Sequence, residues 1–184
     1  MASSKLTGMA ADFSPRSGTS ESLSAQPVSD VAASRVGGVR VAWTHVVLSV
    51  LGLAASVYAV HLHALVKAGQ STGCGITDTI SCDKVIGSQY GEFFGIPLGV
   101  FGGLFWAIVL VTAISGKSVS PRSAALQRLA VGAVGIVTSV VLAYISLGVL
   151  HKFCPVCATT HVLSGINFLV ALAGAWKLRG SVAG

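Results

Sequence analysis

Charged residues are scarce in this sequence. Asp, Glu, Lys and Arg make up 10% of the 184 residues, whereas hydrophobic residues make up 53%, and the mean hydropathy is +0.79. So few charges cannot keep the surface of a folded chain of this size in contact with water. The composition excludes an ordinary soluble protein and predicts one that membrane lipid covers over most of its surface.

Four long segments contain no Asp, Glu, Lys or Arg. Each is as long as the roughly 20 residues that cross about 30 Å of hydrocarbon as a helix. They lack the alternation of a membrane β-barrel, so helices are the structure that satisfies their backbone polar groups in lipid. We therefore predict an all-α membrane protein, a bundle of four transmembrane helices. The segments run over residues 41–66, 93–116, 129–150 and 153–176.

Positive charge is unevenly divided between the two ends of these helices. Nine of the twelve basic residues flank the side that holds both termini. Because cytoplasmic segments are enriched in Lys and Arg, both termini are predicted to be cytoplasmic, and loops 67–92 and 151–153 extracytoplasmic. This distribution explains the net charge of +6 without a nucleic-acid partner. The nine are Lys5, Arg16, Arg35, Arg40, Lys117, Arg122, Arg128, Lys177 and Arg179.

The first 40 residues lack an apolar stretch that would form the core of a signal peptide. They are rich in Ser, Ala and Gly and carry charges of both signs, a composition typical of disorder. The predicted organisation is a disordered cytoplasmic tail over residues 1–40, a four-helix transmembrane domain over residues 41–178 and a short cytoplasmic tail over residues 179–184.

Cysteine is also scarce, and its four residues fall on the same predicted side. Cys74 and Cys82 lie in the long loop, and Cys154 and Cys157 at the start of the fourth helix. This placement favours an oxidising compartment, where the two pairs are either redox-active thiols or structural disulfides. A zinc site is a third interpretation, but the seven residues between the first two cysteines exceed the usual metal-ligand spacing. We therefore predict no metal.

The second pair forms a Cys-Pro-Val-Cys motif where a helix begins. Pro155 suits the first helical position, since its φ is fixed and it has no N–H to leave unpaired. In that register Cys157 lies in the first turn, where free N–H groups and the helix dipole stabilise a thiolate. We therefore expect Cys157 to be the nucleophile. A disulfide across so tight a ring is readily reduced, which favours catalysis.

The long loop contains a second predicted element. Glycines flank Cys74, so the backbone there bends easily and approaches a partner closely. From Cys82 onward apolar residues recur at helical spacing, with Ser81 suited to the N-cap and Asp83 to the first turn. This pattern predicts a short interfacial helix that lies over the bundle.

Three stretches together carry a resemblance to a known family. They are Cys74 to Cys82 with seven residues between, the run from Cys82 to Gly91 that continues into Phe94-Gly95-Ile96-Pro97, and Phe153-Cys154-Pro155-Val156-Cys157-Ala158-Thr159-Thr160. Over about residues 41–178 the sequence resembles the vitamin K epoxide reductase family, especially its bacterial members. The resemblance implies a four-helix bundle around a quinone, with electrons passing from thiols to the quinone or to a quinone epoxide.

The resemblance also implies roles for particular residues. Cys154 and Cys157 correspond to the catalytic pair beside the quinone. Cys74 and Cys82 correspond to the loop pair that collects electrons from a partner. Ser88 matches the family's loop serine beside the active site.

Polar residues early in the fourth helix are the remaining candidates for quinone binding. Thr159, Thr160 and His161 lie within about a turn of Cys157, from where a side chain reaches a quinone carbonyl. The alternative for either threonine is a bond to its own helix backbone. His161 stands where some family members have tyrosine, and an ionisable ring in a membrane usually faces an interior or watery site.

Other polar residues of the helices are assigned no chemistry. His45, His61 and His63 lie at the two ends of the first helix, where imidazoles commonly meet the interface. Asn167 is expected to bond another helix.

These observations predict a membrane thiol–quinone oxidoreductase whose redox domain is residues 41–178. Electrons pass from a partner through the loop pair to the catalytic pair and on to a quinone of the ubiquinone, menaquinone or phylloquinone type, which supports disulfide bond formation. The expected partner is a separate thioredoxin-fold thiol oxidase, DsbA-like, on the extracytoplasmic side of the inner (plasma) membrane. The alternatives are a quinone or vitamin K epoxide reductase that serves net quinone reduction, and a non-catalytic scaffold with two structural disulfides.

Overall fold

Helices account for most of the chain, because backbone polar groups in lipid have no partners other than one another. The structure, a computed structural model, describes residues 28–116 and 118–180. Its α-helices are α1 (Val28–Lys67), α2 (Cys82–Ile86), α3 (Leu98–Ser115), α4 (Pro121–Tyr144) and α5 (Pro155–Gly180), and a π-helical turn (Ile145–Val149) extends α4.

Four of these helical segments are long and apolar enough to cross a membrane, counted over the described residues. The predicted four-helix membrane fold is therefore confirmed. The segments are Arg40–Lys67, Leu98–Ser115, Pro121–Val149 and Pro155–Arg179.

The bundle is held by contacts of α1 with α3 and α5, and of α4 with α3 and α5. Trp106 of α3 is 1% exposed and packs with Leu48 and Val109 in the middle of the bundle. It lies directly over Gly52 of α1, where a Cβ atom would come within 2.1 Å of two atoms of the indole ring. The absence of a side chain at this glycine therefore lets α1 and α3 approach closely, as the composition of membrane helices favours.

The second membrane helix begins at Leu98, five residues later than the predicted start at residue 93. Two short antiparallel strands, β1 (Glu92–Phe93) and β2 (Ile96–Pro97), occupy the residues before it. Phe94 and Gly95 between them have φ values of 52° and 76°. Positive φ at both central positions of a two-residue turn forms a hairpin and excludes a helix.

Two other helices are longer than predicted. α4 begins at Pro121 instead of residue 129, with Ser120 as N-cap accepting a hydrogen bond from the Ser123 N–H at 3.2 Å. The requirement for an uncharged segment placed this start too late, because Arg122 and Arg128 lie within the helix. α1 begins at Val28, inside the predicted disordered tail 1–40, since extending an existing helix costs little. Residues 1–27 and 181–184 of the predicted tails lie outside the described residues.

Candidate active site

The long loop is attached to α2 through the carboxylate of Asp83. It accepts hydrogen bonds from the Ser71 hydroxyl at 3.2 Å, from the Thr72 N–H at 3.1 Å and from the Thr72 hydroxyl. The bond from the Thr72 hydroxyl is the main reason why the pKa of Asp83 lies below its ordinary value. The Thr72 hydroxyl also accepts from the Cys74 N–H at 3.3 Å. Asp83 therefore holds the segment that carries Cys74 against the start of α2.

Cys74 and Cys82 are joined in a disulfide, with their Cα atoms 5.5 Å apart. Cys82 is the first residue of α2, whose N-cap Ser81 accepts a hydrogen bond from the Lys84 N–H at 3.4 Å, as the sequence predicts. Cys82 is 0% exposed, whereas Cys74 is only partly buried. Cys74 is therefore the more accessible sulfur of this disulfide.

Backbone hydrogen bonds fix the loop to the start of α5. The Ser81 N–H donates to the Phe153 carbonyl at 3.0 Å, and the Phe153 N–H donates to the Thr79 carbonyl at 2.8 Å, which forms a parallel bridge between Ile80 and Phe153. Cys82 follows Ser81 and Cys154 follows Phe153, and both cysteines are buried. The bridge thus brings together two cysteines that lie 72 residues apart in sequence.

The sulfur atoms of all four cysteines form one continuous series. Beyond the loop disulfide, the Sγ atoms of Cys82 and Cys154 are 3.7 Å apart, and those of Cys154 and Cys157 are 2.6 Å apart. Cys154 and Cys157 are free thiols. Each neighbouring pair is close enough for thiol–disulfide exchange, which proceeds by attack of one sulfur on the next.

Cys154, and not Cys157, has the position that stabilises a thiolate. It immediately precedes α5, and its Sγ atom accepts a hydrogen bond from the Cys157 N–H at 3.2 Å, as an N-cap side chain does. The Cys157 thiol contributes most to lowering the pKa of Cys154; the N–H groups of Cys157 and Val156 add to the shift, and burial opposes it. The sequence predicted a stabilised thiolate at the start of α5 and assigned it to Cys157. In the structure the N-cap residue is Cys154, and its sulfur accepts the hydrogen bond from the free N–H of Cys157.

A cavity of about 390 Å³ lies beside this pair, between all four membrane helices. That volume is within the range of roughly 300–1,000 Å³ found for small-molecule sites. Its wall is mainly apolar and includes the aromatic rings of Phe101, Phe105 and Trp106. Cys157 lines the cavity, whereas Cys154 does not. The cysteine series therefore leads from the partly exposed loop to the cavity wall.

Two of the four residues predicted to bind the quinone line this cavity, namely Thr160 and His161. The Thr160 hydroxyl donates to the Cys157 carbonyl at 2.7 Å, so it bonds to its own helix. Thr159 is exposed, donates to the Pro155 carbonyl at 3.0 Å and is not part of the cavity wall. The back-bonding alternative therefore describes both threonines in this structure.

Ser88 follows α2 and does not line the cavity either. Its hydroxyl donates to the Val85 carbonyl at 2.8 Å and accepts from the Tyr90 N–H at 3.2 Å. Both of those neighbours belong to the cavity wall. In this structure Ser88 therefore shapes the turn that supports the wall, and its hydroxyl is engaged with the backbone.

His63, to which the sequence assigned no chemistry, also lines the cavity and is 5% exposed. Its Nδ1 lies 3.3 Å from the Ile86 carbonyl oxygen, and its Nε2 lies 3.5 Å from Glu92 Oε2. Glu92 also pairs with Lys67 at 2.8 Å, and this hydrogen bond is the main reason why the pKa of Glu92 is lowered. His63 and Lys67 are four residues apart and so share one helix face, a signal that was available in the sequence.

At the opposite end of the bundle, His45 and Asn167 form a buried pair. His45 Nδ1 and Asn167 Oδ1 are 2.7 Å apart, and both residues are 1% exposed. The prediction that Asn167 bonds another helix is confirmed. His45 lies inside the bundle instead of at the interface, where this amide gives its Nδ1 a hydrogen-bond partner.

Comparison with known proteins agrees with this arrangement. Residues 43–172 match the vitamin K epoxide reductase family. The chain is 32% identical over 133 residues to vitamin K epoxide reductase complex subunit 1 of Mus musculus and 31% identical to that of Rattus norvegicus. Each alignment covers 64% of this chain and 80% of the relative. With four membrane helices and this match over most of its length, the chain is a multi-pass membrane protein that belongs to the vitamin K epoxide reductase family.

Proposed function

We propose that this protein is a membrane thiol–quinone oxidoreductase that takes electrons from a partner thiol protein and passes them to a quinone. The observation that carries the proposal is the unbroken series of sulfur atoms from Cys74 to Cys157. It begins at a partly exposed disulfide and ends at the wall of a cavity large enough for a quinone ring.

Electrons enter at the loop disulfide. A partner thiolate attacks Cys74, which releases Cys82 as a thiolate, and the second partner thiol then closes the partner's disulfide and frees Cys74. The Cys82 thiolate attacks Cys154 of an oxidised Cys154–Cys157 pair and releases Cys157. Attack of Cys74 on Cys82 then restores the loop disulfide and leaves Cys154 and Cys157 reduced. Each step exchanges one sulfur–sulfur bond for another, so electrons balance throughout.

The second half-reaction takes place at the cavity. The reduced Cys154 and Cys157 pair closes its disulfide, and the two electrons pass to a quinone, which becomes a hydroquinone. Cys157 is the cysteine in contact with the cavity, and Cys154 supplies the stabilised thiolate. The loop disulfide beside free Cys154 and Cys157 corresponds to the protein ready for this half-reaction.

The cavity wall fits a flat, lipid-soluble ring. Aromatic and aliphatic side chains from four helices supply an apolar enclosure, and a small number of polar groups orient the ligand in such sites. Among the described residues of the wall, His161 has no hydrogen bond to the protein, so its ring is available to a quinone carbonyl. Thr160 binds less directly, because its hydroxyl already donates to the Cys157 carbonyl. Ser88 and Thr159 do not line the cavity, and their hydroxyls stabilise the backbone beside it through hydrogen bonds.

The partner is a separate thioredoxin-fold thiol oxidase on the extracytoplasmic side, and the protein supports disulfide formation in the inner (plasma) membrane. The charge distribution supports this orientation. Asp78, Asp83 and Glu92 lie at the cysteine end of the bundle, whereas Arg122 and Arg179 lie at the other end, which the enrichment of basic residues marks as cytoplasmic.

The test measures the two half-reactions separately in purified protein. Pre-reduced protein is mixed anaerobically with a ubiquinone or menaquinone analogue, and hydroquinone formation is followed by absorbance. Cys157→Ser should abolish this reaction, whereas the matched variant Cys74→Ser should retain it and lose only reduction by a thioredoxin-fold partner. In Cys157→Ser, non-reducing mass spectrometry should detect a Cys82–Cys154 linkage. Quinone reduction at the wild-type rate by Cys157→Ser would overturn the proposed route through Cys157, and a wild-type protein that reduces no quinone would favour the scaffold interpretation.

A second candidate is reduction of a quinone epoxide, which the names of the rodent relatives favour. The same pre-reduced protein is offered vitamin K epoxide, and the quinone product is measured by chromatography. Turnover of the epoxide faster than that of any quinone would favour this candidate. Restored disulfide formation in a bacterium that lacks its own membrane thiol oxidase would favour the first.

A further inference from the structure

Quinone reduction, on which this inference rests as the proposed function, consumes two protons as well as two electrons. The Cys154 and Cys157 pair supplies both electrons when its disulfide closes. Its proton supply is smaller, because hydrogen bonds from Cys157 lower the pKa of Cys154 and favour its thiolate. A Cys154 thiolate with a Cys157 thiol releases two electrons and one proton. The pair alone therefore leaves the hydroquinone one proton short, and a protonated side chain on the cavity wall would supply it.

We infer that His63 delivers this second proton to the quinone and that Glu92 conducts its replacement from water. His63 lies near the end of α1, in the wall of the same cavity that Cys157 lines. In balanced form, the Cys154 thiolate, the Cys157 thiol, the quinone and one proton from His63 yield the Cys154–Cys157 disulfide and the hydroquinone. The neutral His63 then takes a proton that arrives from the surface through Glu92.

The surroundings of the His63 ring suit a proton donor. Its two nitrogens face two acceptors, the Ile86 carbonyl oxygen at 3.3 Å and Glu92 Oε2 at 3.5 Å. An N–H on either ring nitrogen therefore has an acceptor within reach. When it gives one to the cavity, the carboxylate beside it is the group from which the ring regains it. His63 is a buried, cavity-lining residue that the disulfide exchange steps do not use.

Glu92 connects this buried ring with water. Its side chain is 28% exposed and pairs at 2.8 Å with Lys67, whose side chain is 58% exposed. The series therefore runs from the cavity through His63 and Glu92 to solvent without a gap longer than 3.5 Å. Residues 92 and 93 form strand β1, so the hairpin before α3 fixes the carboxylate beside α1.

The charged side chains of α2 and the histidine of α5 do not offer an equivalent route. Of the two charged residues of α2, Asp83 is engaged by Ser71 and Thr72, and Lys84 is exposed. α3 contains no ionisable side chain. On α5, His161 lines the cavity, but among the described residues no carboxylate lies beside it to link it with water.

The experiment follows single-turnover reduction of decylubiquinone by the pre-reduced, full-length protein in detergent micelles. His63→Gln should slow this reaction about 100-fold, the usual contribution of a positioned proton donor. Glu92→Gln, a surface substitution of the same size, should slow it about tenfold and make the rate rise with the concentration of imidazole buffer. The matched control His61→Gln changes an exposed histidine two residues away and should react like wild type.

Exchange between a thiol partner and the cysteine pairs, measured without quinone, should proceed at the wild-type rate in all three variants. If the substitutions acted only by disturbing the structure, both half-reactions would slow, and imidazole buffer would not raise the rate of quinone reduction by Glu92→Gln. Quinone reduction by His63→Gln within twofold of wild type, or a Glu92→Gln rate that is slow but indifferent to buffer, would overturn the proton route while leaving the proposed function intact. Wild-type protein that transfers no electrons to decylubiquinone would overturn both.

Discussion

The attachment of the cysteine loop by Asp83 leads to a quantitative prediction for Asp83→Asn. The substitution keeps one acceptor oxygen but removes the charge that three hydrogen bonds share. Hydrogen bonds to charged groups contribute about 1.5–3 kcal/mol each and neutral ones about 0.5–1.5 kcal/mol. Because this carboxylate lies close to solvent, the loss is reduced by screening to about 1 kcal/mol. Local opening of the loop should therefore become about fivefold more frequent.

Hydrogen exchange of the Thr72 amide measures this opening directly, since that N–H donates to Asp83 Oδ1 at 3.1 Å. Its protection factor should fall about fivefold in Asp83→Asn, and small thiols should reduce the Cys74–Cys82 disulfide faster by a similar factor. Asp78→Asn is the matched control, because it removes the same charge from the same loop and no hydrogen bond from Ser71 or Thr72 reaches its side chain. Unchanged Thr72 protection in Asp83→Asn would refute the argument.

The sign of the pH dependence follows from the lowered pKa of Asp83. A carboxyl whose folded pKa is lowered stabilises the folded loop above its unfolded pKa of about 3.9. This contribution is lost as the pH falls through the lower folded value. Wild-type protection of Thr72, corrected for intrinsic exchange, should therefore approach that of Asp83→Asn only at strongly acidic pH.

Three further predictions concern the bundle and the catalytic pair. Gly52→Ala should lower the free energy of unfolding by about 1–3 kcal/mol, because its methyl group overlaps the Trp106 ring, and thermal denaturation in detergent checks this. Asn167→Leu should cost about 1–3 kcal/mol in the same assay, since His45 Nδ1 loses its buried partner; equal melting temperatures would contradict it. The rate of quinone reduction should rise with pH around a pKa below the ordinary thiol value of about 8.5, because the Cys154 thiolate reacts, and Cys154→Ser should abolish the reaction.

Much of the fold could be predicted from the absence of charge in four segments, because lipid restricts such segments to helices. The residues at which the helices begin were harder to predict. The start of α3 depends on positive φ values at Phe94 and Gly95, which hydropathy does not register. The start of α4 depends on Pro121 and Ser120, whose capping signals were overruled by the charges of Arg122 and Arg128.

The assignment of the cysteines to two pairs could be predicted from the sequence, but the contact between the pairs could not. Their spacing and resemblance identified two pairs, but the contact between Cys82 and Cys154 depends on backbone bonds between segments 72 residues apart. No local pattern specifies such a bridge. The spacing of His63 and Lys67 on one helix face was visible in the sequence, but their common partner Glu92 was not, because a hairpin brings it to them from another segment. Thr159 and Thr160 were chosen for proximity to Cys157, and their side-chain directions could not be read from spacing.

The bridge between Ile80 and Phe153 has a consequence for where the protein can work. Transmembrane helices change their tilt in bilayers of different thickness. The distance between Cys82 and Cys154 is set by short backbone bonds outside the hydrocarbon, so helix tilting need not alter it. The spacing of these two sulfur atoms should therefore be the same in thin and thick membranes, and the proposed exchange between the two cysteine pairs should tolerate both.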